Sequence, residues 1–229
     1  MGPLKLGIFG GSFNPIHLGH LHLARSVQRL FGLDRIHFVV AAAPPHKPLE
    51  KLVPFIHRYA MVSLALAGRD SFSPSLAELD PPSSPFSLHT LEKFSRGRAG
   101  RAARIFFIAG GDSLLEVGEW HESRELLTSY SFIFAARAGV SVAAAKSVLP
   151  PEARQRIQDL RGFGARQVRS RIRAAESLDA SVLFIVDVGV PDISSSRIRA
   201  LISGGKAYCH LVPRQVCRYI QKLHLYGER

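Results

Sequence analysis

Short apolar runs alternate with longer amphipathic stretches along the whole chain. The runs Leu4–Phe9, Arg35–Ala41, Ser71–Ala77, Ala103–Ala109, Ser131–Ala136 and Ser181–Asp187 have the length and composition of buried strands. Between them the pattern predicts helices at Leu18–Phe31, Phe55–Ala67, Ser87–Phe94, Ser123–Leu127, Pro151–Arg161, Ser195–Ile202 and Arg214–Leu223. Strands regularly separated by helices imply βαβ units, hence an α/β protein with a doubly wound, mostly parallel sheet and helices on both faces. Ligands of such sheets bind beyond the carboxyl ends of the strands, where strand order reverses. No internal repeat and no second core are visible, so residues 1–229 are expected to form a single domain. Within it, the least regular stretch, 139–180, is rich in Ala, Arg and Ser, and 150–175 reads as a basic helical insertion.

Composition narrows the partners. The chain has 30 Lys and Arg against 18 Asp and Glu, a net charge of +12, which favours anionic partners without choosing among them. Seven arginines fall between Arg154 and Arg173, with Asp159 the one acid among them; Arg96, Arg98, Arg101 and Arg104 form a second cluster. Both read most simply as solvated faces. No RNA-binding, helix-turn-helix or zinc pattern accompanies the charge, so no specific nucleic acid is expected. No apolar run is long enough to cross a bilayer, and the early Gly10-Gly11 and Asn14-Pro15 do not suit a signal peptide. Cys209 and Cys217, eight apart, form no metal or redox motif and are expected to be free thiols in a reducing cytoplasm.

The chemistry concentrates in Gly7-Ile8-Phe9-Gly10-Gly11-Ser12-Phe13-Asn14-Pro15-Ile16-His17-Leu18-Gly19-His20. A strand that breaks at two glycines and feeds a helix exposes backbone N–H groups to a phosphate. His17 and His20, three apart, share one face of the helix's first turn and can stabilise charge moving during phosphoryl or nucleotidyl transfer. The spacing fits neither a Walker A loop nor the G-x-G-x-x-G dinucleotide fingerprint. Three later segments repeat the placement of polar groups after an apolar run. Pro44-Pro45-His46-Lys47 follows the second strand. Gly110-Gly111-Asp112 follows the fourth, where Asp112 reads as an N-cap or a ribose ligand. Trp120, the lone tryptophan, follows closely and could stack on a flat heterocycle. Ile193-Ser194-Ser195-Ser196 with Arg199 forms a second phosphate-suited helix start.

The pattern G-G-S-F-N-P-x-H-x-G-H resembles the H-x-G-H signature of the nucleotidylyltransferase superfamily. With P-P-H-K, P-F-S-L-H-T-L at 85–91, F-I-A-G-G-D-S-L at 107–114, Trp120, R-A-G at 137–139, I-S-S-S-R-I-R at 193–199 and L-V-P-R-Q-V-C-R-Y-I at 211–220, the chain resembles the bacterial nicotinate-nucleotide adenylyltransferases over nearly its whole length. The resemblance implies a Rossmann-like fold and the joining of ATP to nicotinate mononucleotide, with Mg²⁺, giving nicotinic acid adenine dinucleotide and pyrophosphate. It implies an ATP site at Gly10, Gly11, Ser12, Phe13, His17, His20, Ile193, Ser194, Ser195, Ser196 and Arg199, with His17 and His20 catalytic and Arg137 near the adenine. It implies an acceptor site at Lys47, Phe86, Ser87, Gly110, Asp112 and Trp120, in which the N–H groups of Phe86 and Ser87 face the nicotinate carboxylate. Asn14 replaces the usual Asp, Phe86-Ser87 the usual Tyr-Thr, and Ala138 the usual Pro. Nicotinamide mononucleotide or phosphopantetheine are the alternative acceptors. A non-catalytic nucleic-acid binder is the remote one, and a homo-oligomer is left open.

Overall fold

The computed structural model describes residues 3–43, 52–97, 103–135, 141–178 and 180–227. Its centre is a seven-stranded sheet: β1 (Leu4–Gly11), β2 (Arg35–Val40), β3 (Phe72–Ser75), β4 (Ala103–Gly110), β5 (Ser131–Ala135), β6 (Ile157–Asp159) and β7 (Leu183–Val186). The spatial order is β3-β2-β1-β4-β5-β7-β6, and every pair is parallel. The helices are α1 (Leu18–Phe31), α2 (Phe55–Leu66), α3 (Ser87–Arg96), α4 (Ser113–Glu116), α5 (Ser123–Ser129), α6 (Val142–Val148), α7 (Pro151–Arg154), α8 (Ala165–Glu176), α9 (Ser195–Ser203) and α10 (Arg214–Lys222).

The sheet is apolar on both faces because parallel strands must be covered on both. Successive side chains alternate between two cores. Phe106, Ile108, Ile133, Phe184 and Val186 face one core with α1, α2, α8 and α10. Ile105, Phe107, Phe132, Phe134 and Leu183 face the other, with α3 and α5. Helix α1 supplies its stripe at Leu21, Leu23, Ala24, Val27 and Phe31, all buried, and matches its predicted bounds. Strand order reverses between β1 and β4, so the loops after these two strands open a crevice at that edge.

Two expectations fail. Residues 157–159, predicted within a helix over Pro151–Arg161, form a strand instead: α7 stops at Arg154 and the chain pairs with β7. The apolar strand β7 has an edge that needs partners; the Leu183 N–H donates to Arg156 O at 2.9 Å and the Leu160 N–H to Ile185 O at 2.8 Å. Backbone pairing thus overrides a local pattern in which only Ile157 and Leu160 are apolar. The rest of the arginine-rich stretch is helical over α8, whose Val168, Ile172 and Ala175 enter the core while Arg166, Arg169, Arg171 and Arg173 face solvent. The second correction is that Cys209 and Cys217 are joined as a disulfide, with Cα atoms 5.3 Å apart. A 3₁₀ turn at Cys209–Leu211, followed at once by α10, folds the two positions together, which their spacing alone does not reveal.

Helix α8 is tied to the central strand by Lys5, whose Nζ lies 2.7 Å from Glu176 and 3.2 Å from Phe31 O. Both side chains are partly buried. Glu176→Ala is expected to lower the unfolding free energy by about 1–3 kcal/mol, the usual cost of leaving a partly buried charge short of its partner. Urea denaturation checks this; an unchanged midpoint would mean that the Lys5–Glu176 pair adds nothing to stability.

Candidate active site

Two adjoining cavities open at the β1–β4 crevice, of about 980 Å³ and 460 Å³. They share Gly10, Gly11, Ser12, Gly110 and Ser113 as a common floor. A side chain at Gly10 would strike the Phe107 ring, its Cβ 2.8 Å from Cζ, so a residue without Cβ lets the strand end run bare between the two chambers.

The larger cavity gathers Phe13, His17, His20, Asp112, Ile193, Ser194, Ser195, Ser196 and Arg199. His17 stands at the N-cap of α1 in extended conformation (φ −142°, ψ 173°). Its N–H donates to His20 Nδ1 at 3.2 Å, so the neutral His20 ring carries its proton on Nε2. The two rings stack with centroids 3.7 Å apart. Gly19 keeps this stack in place, since a Cβ there would lie 3.0 Å from His17 Nδ1. Burial pulls the His17 imidazole down to about 4, so it is neutral at pH 7, and its Nδ1 is buried without a partner.

Helix α9 closes the opposite side. Ser195 Oγ donates to Pro15 O at 2.9 Å and Arg199 Nη1 to Asn14 O at 2.8 Å, which fastens α9 to the β1–α1 loop. Ser194 Oγ accepts from the Arg197 N–H at 3.2 Å and acts as the N-cap. Ser196 Oγ accepts from Arg199 Nη2 at 3.3 Å. The serine hydroxyls therefore build the helix start, and its first-turn N–H groups and the Arg199 guanidinium are what the fold offers an anion. Asp112, at the N-cap position of α4, makes no capping hydrogen bond; it is exposed and folds back over Gly110, where a Cβ would meet Oδ1 at 2.5 Å. It is the one carboxylate lining this cavity among the described residues.

The smaller cavity takes Phe86, Ser87 and Trp120, as expected, with Glu78 and Thr90. Trp120 meets Phe107 edge to face at 5.9 Å. Phe86 is the N-cap of α3, but its N–H already donates to Ser84 Oγ at 3.3 Å; Ser87, the first helical residue, carries the N–H with no intrahelical acceptor. Of the two N–H groups expected to meet a ligand, the Phe86 N–H is thus already engaged, and the Ser87 N–H is the one left without an intrahelical acceptor. Lys47 and Arg137 lie outside the described residues.

Three polar residues that sequence reasoning missed complete the site. Arg58 is 2% exposed and donates to Val53 O, Ser12 O, Ala41 O and Ala42 O at 2.9, 3.0, 2.7 and 3.3 Å. The signal was available: Arg58, Met61, Val62, Ala65 and Leu66 fall on one buried stripe of α2, and a charge on such a stripe requires partners. Thr90, on the cavity wall, is 3% exposed, and its buried Oγ1 has no partner. Glu78 accepts from the Ala42 N–H at 2.7 Å, and burial pushes its carboxyl up to about 7, against the pull of that hydrogen bond, Arg58 and Lys93.

The residues from 8 to 201 match the model of the cytidylyltransferase-like family, and the chain belongs to that family. Its relatives are more particular. A protein of Pelobacter propionicus named "Probable nicotinate-nucleotide adenylyltransferase" is 37% identical over 98% of this chain and 99% of its own. One of the same name from Geobacter sulfurreducens is also 37% identical over the same shares. The fold is that of the Plasmodium falciparum nicotinic acid mononucleotide adenylyltransferase complexed with NaAD, at a TM-score of 0.70 and 16% identity, with 97% of each chain covered.

Glu78 gives the site a pH signature. Its folded value is raised from 4.5 to about 7, so its contribution to stability is fully present below about 4.5 and is lost as pH rises through about 7. His17, lowered from 6.5 to about 4, acts oppositely, its contribution being present above 6.5 and lost as pH falls through about 4. Glu78→Gln keeps an acceptor for Ala42 and is expected to melt higher than wild type at pH 8 but not at pH 4.5. Melting curves across that range check it; parallel profiles would place the Glu78 carboxyl in ordinary water.

Proposed function

We propose that this chain joins ATP and nicotinate mononucleotide, giving nicotinic acid adenine dinucleotide and pyrophosphate in NAD biosynthesis. One observation carries the reading: two chambers share one floor, and their linings include His17 and Thr90, whose Nδ1 and Oγ1 are the two buried side-chain atoms without a partner among the described residues. A buried polar atom left unpaired costs about 1–3 kcal/mol and marks where a ligand supplies the missing bond. The names of the full-length relatives support the same reaction.

In this scheme the triphosphate lies in the larger chamber between the N-termini of α1 and α9, and the acceptor's ring enters the smaller one. The acceptor's 5′-phosphate oxygen attacks the α-phosphorus in line; the new P–O bond forms as the bond to the pyrophosphate oxygen breaks. That phosphate is already anionic, so the protein needs no base, only positioning and charge stabilisation. His17 donates from a neutral ring with His20 stacked beside it, and Arg199 supplies a permanent positive charge. Mg²⁺, brought with ATP, would neutralise phosphate charge. The donor set fits an ion that keeps several waters, with Asp112 as the protein carboxylate within reach of the chamber. In the smaller chamber the Ser87 N–H and Thr90 hydroxyl are donors for the nicotinate carboxylate, and Trp120 offers a face to the pyridine. Lys47 and Arg137 are assigned to phosphate and adenine on the resemblance alone. A cytoplasmic location, where ATP is abundant, fits this substrate pair; it rests on ATP alone, since the Cys209–Cys217 disulfide removes the argument from free thiols.

His17→Ala and His20→Ala are each expected to lower kcat by roughly 10²–10³, the usual loss for a preorganised oxyanion donor. Near-normal turnover in both folded variants would sink the proposal. The acceptor is decided by pyrophosphate release with Mg²⁺ and ATP, offering nicotinate and nicotinamide mononucleotides in parallel. Strong preference for the acid is expected; equal or reversed preference would keep the chemistry and discard the carboxylate pocket. No release with either would turn attention to phosphopantetheine.

A further inference from the structure

His89, His121 and Glu122 each present one ligand atom within 4.8 Å of the others, the one such group of His, Cys, Asp or Glu among the described residues. Glu122 Oε2 is 3.5 Å from His121 Nε2 and 3.9 Å from His89 Nε2. Around a tetrahedral zinc ion, ligands at about 2.0–2.2 Å from the metal stand about 3.3–3.6 Å from one another. The two Glu122 distances are at or within about half an ångström of that spacing, and the His89–His121 pair, inside 4.8 Å, closes by side-chain rotation. The side chains are 40%, 43% and 46% exposed, so an ion can reach them.

The rings are also held in the manner of ligands. Ser84 Oγ lies 2.7 Å from His89 Nδ1. With the hydroxyl oxygen accepting, Nδ1 keeps the proton and Nε2 turns its lone pair toward Glu122, as the outer-shell partner of a ligating histidine does. Phe86 stacks on His121 with centroids 3.9 Å apart and planes 23° apart, which fixes that ring. Glu122 takes a left-handed backbone (φ 51°), uncommon outside glycine, in the turn between Trp120 and α5.

We propose that His89, His121 and Glu122 form a site for one divalent ion of the zinc class, with a fourth position open to water. Two imidazoles and one carboxylate suit Zn²⁺, Co²⁺ or Ni²⁺; Mg²⁺ and Ca²⁺ prefer oxygen ligands. The site is therefore separate from the Mg²⁺ of the triphosphate chamber. His89 stands on the first turn of α3, just after Phe86 and Ser87, and His121 and Glu122 follow Trp120. A bound ion ties these two walls of the smaller cavity together. This consequence for the acceptor rests on the proposed function; the site itself does not.

The test uses tag-free full-length chain stripped with EDTA and titrated with Co²⁺, then Zn²⁺. Expected are one equivalent of Co²⁺ with the intense visible absorption of low coordination, its displacement by Zn²⁺, and a rise in Tm with Zn²⁺. Glu122→Gln and His89→Gln should each weaken Co²⁺ binding at least tenfold and abolish the Zn²⁺ shift in Tm. Stripped Glu122→Gln should match stripped wild type in Mg²⁺-dependent pyrophosphate release, which shows that the variant is folded. No stoichiometric binding, or binding untouched by both substitutions, overturns the site and leaves a plain His–Glu ion pair. Stoichiometric binding lost in the variants, in a chain that releases no pyrophosphate, upholds the site and removes the adenylyl-transfer reading.

Discussion

The buried guanidinium of Arg58 is the constraint on which the site depends. Sheet pairing carries β1 and β2 to their carboxyl ends, but the loops beyond them have no ladder to hold them. Arg58 supplies one, donating to carbonyls on the loop after β1, the loop after β2 and the segment ahead of α2. A buried charge is tolerated only when hydrogen-bonded, so its partners cannot drift without exposing that cost. Glu78 completes the set through the Ala42 N–H, near enough to Arg58 for their charges to interact. The common floor of the two cavities is thereby fixed from beneath, while its upper side stays bare for a ligand.

The two chambers are tuned oppositely by the same physical cause. Burial keeps His17 neutral in one and pushes Glu78 toward neutrality in the other. A neutral imidazole donates a hydrogen bond without a counter-ion to displace, and a protonated Glu78 does not repel an anionic acceptor. The permanent charge in the larger chamber comes from Arg199, whose guanidinium stays positive at any working pH. Anion affinity is thus placed at the phosphates, where the proposed chemistry moves charge.

What the sequence disclosed follows from the range of the interactions involved. Apolar runs buried on both faces gave six of the seven strands, and the glycine-histidine loop showed itself because its parts are adjacent. Helix α9 was legible for the same reason; what the sequence did not disclose is that Ser194 caps it and Ser195 fastens it to Pro15 O. Strand β6 was missed because its existence depends on the open edge of β7, a partner 24 or more residues away. Arg58, Glu78 and Thr90 were missed because each is defined by distant carbonyls or a cavity wall. The disulfide belongs with them: a spacing of eight says nothing until a 3₁₀ turn folds it.

Asn14 shows how a single departure from the expected pattern fits this economy of charge. It is 1% exposed, and its Oδ1 accepts from the Val53 N–H at 3.3 Å and from the Tyr226 hydroxyl at 2.9 Å. Burial pushes the Tyr226 phenol up, so it remains a donor. Its backbone carbonyl meanwhile accepts from Arg199. A carboxylate at this position would set a buried negative charge beside Arg199, the one guanidinium lining the larger chamber among the described residues, and would offset part of its field. A neutral amide makes the same two hydrogen bonds and leaves Arg199 against a carbonyl, a partner that orders the side chain without cancelling its charge. The guanidinium is then positioned before an anion arrives, and its charge is still available when one does.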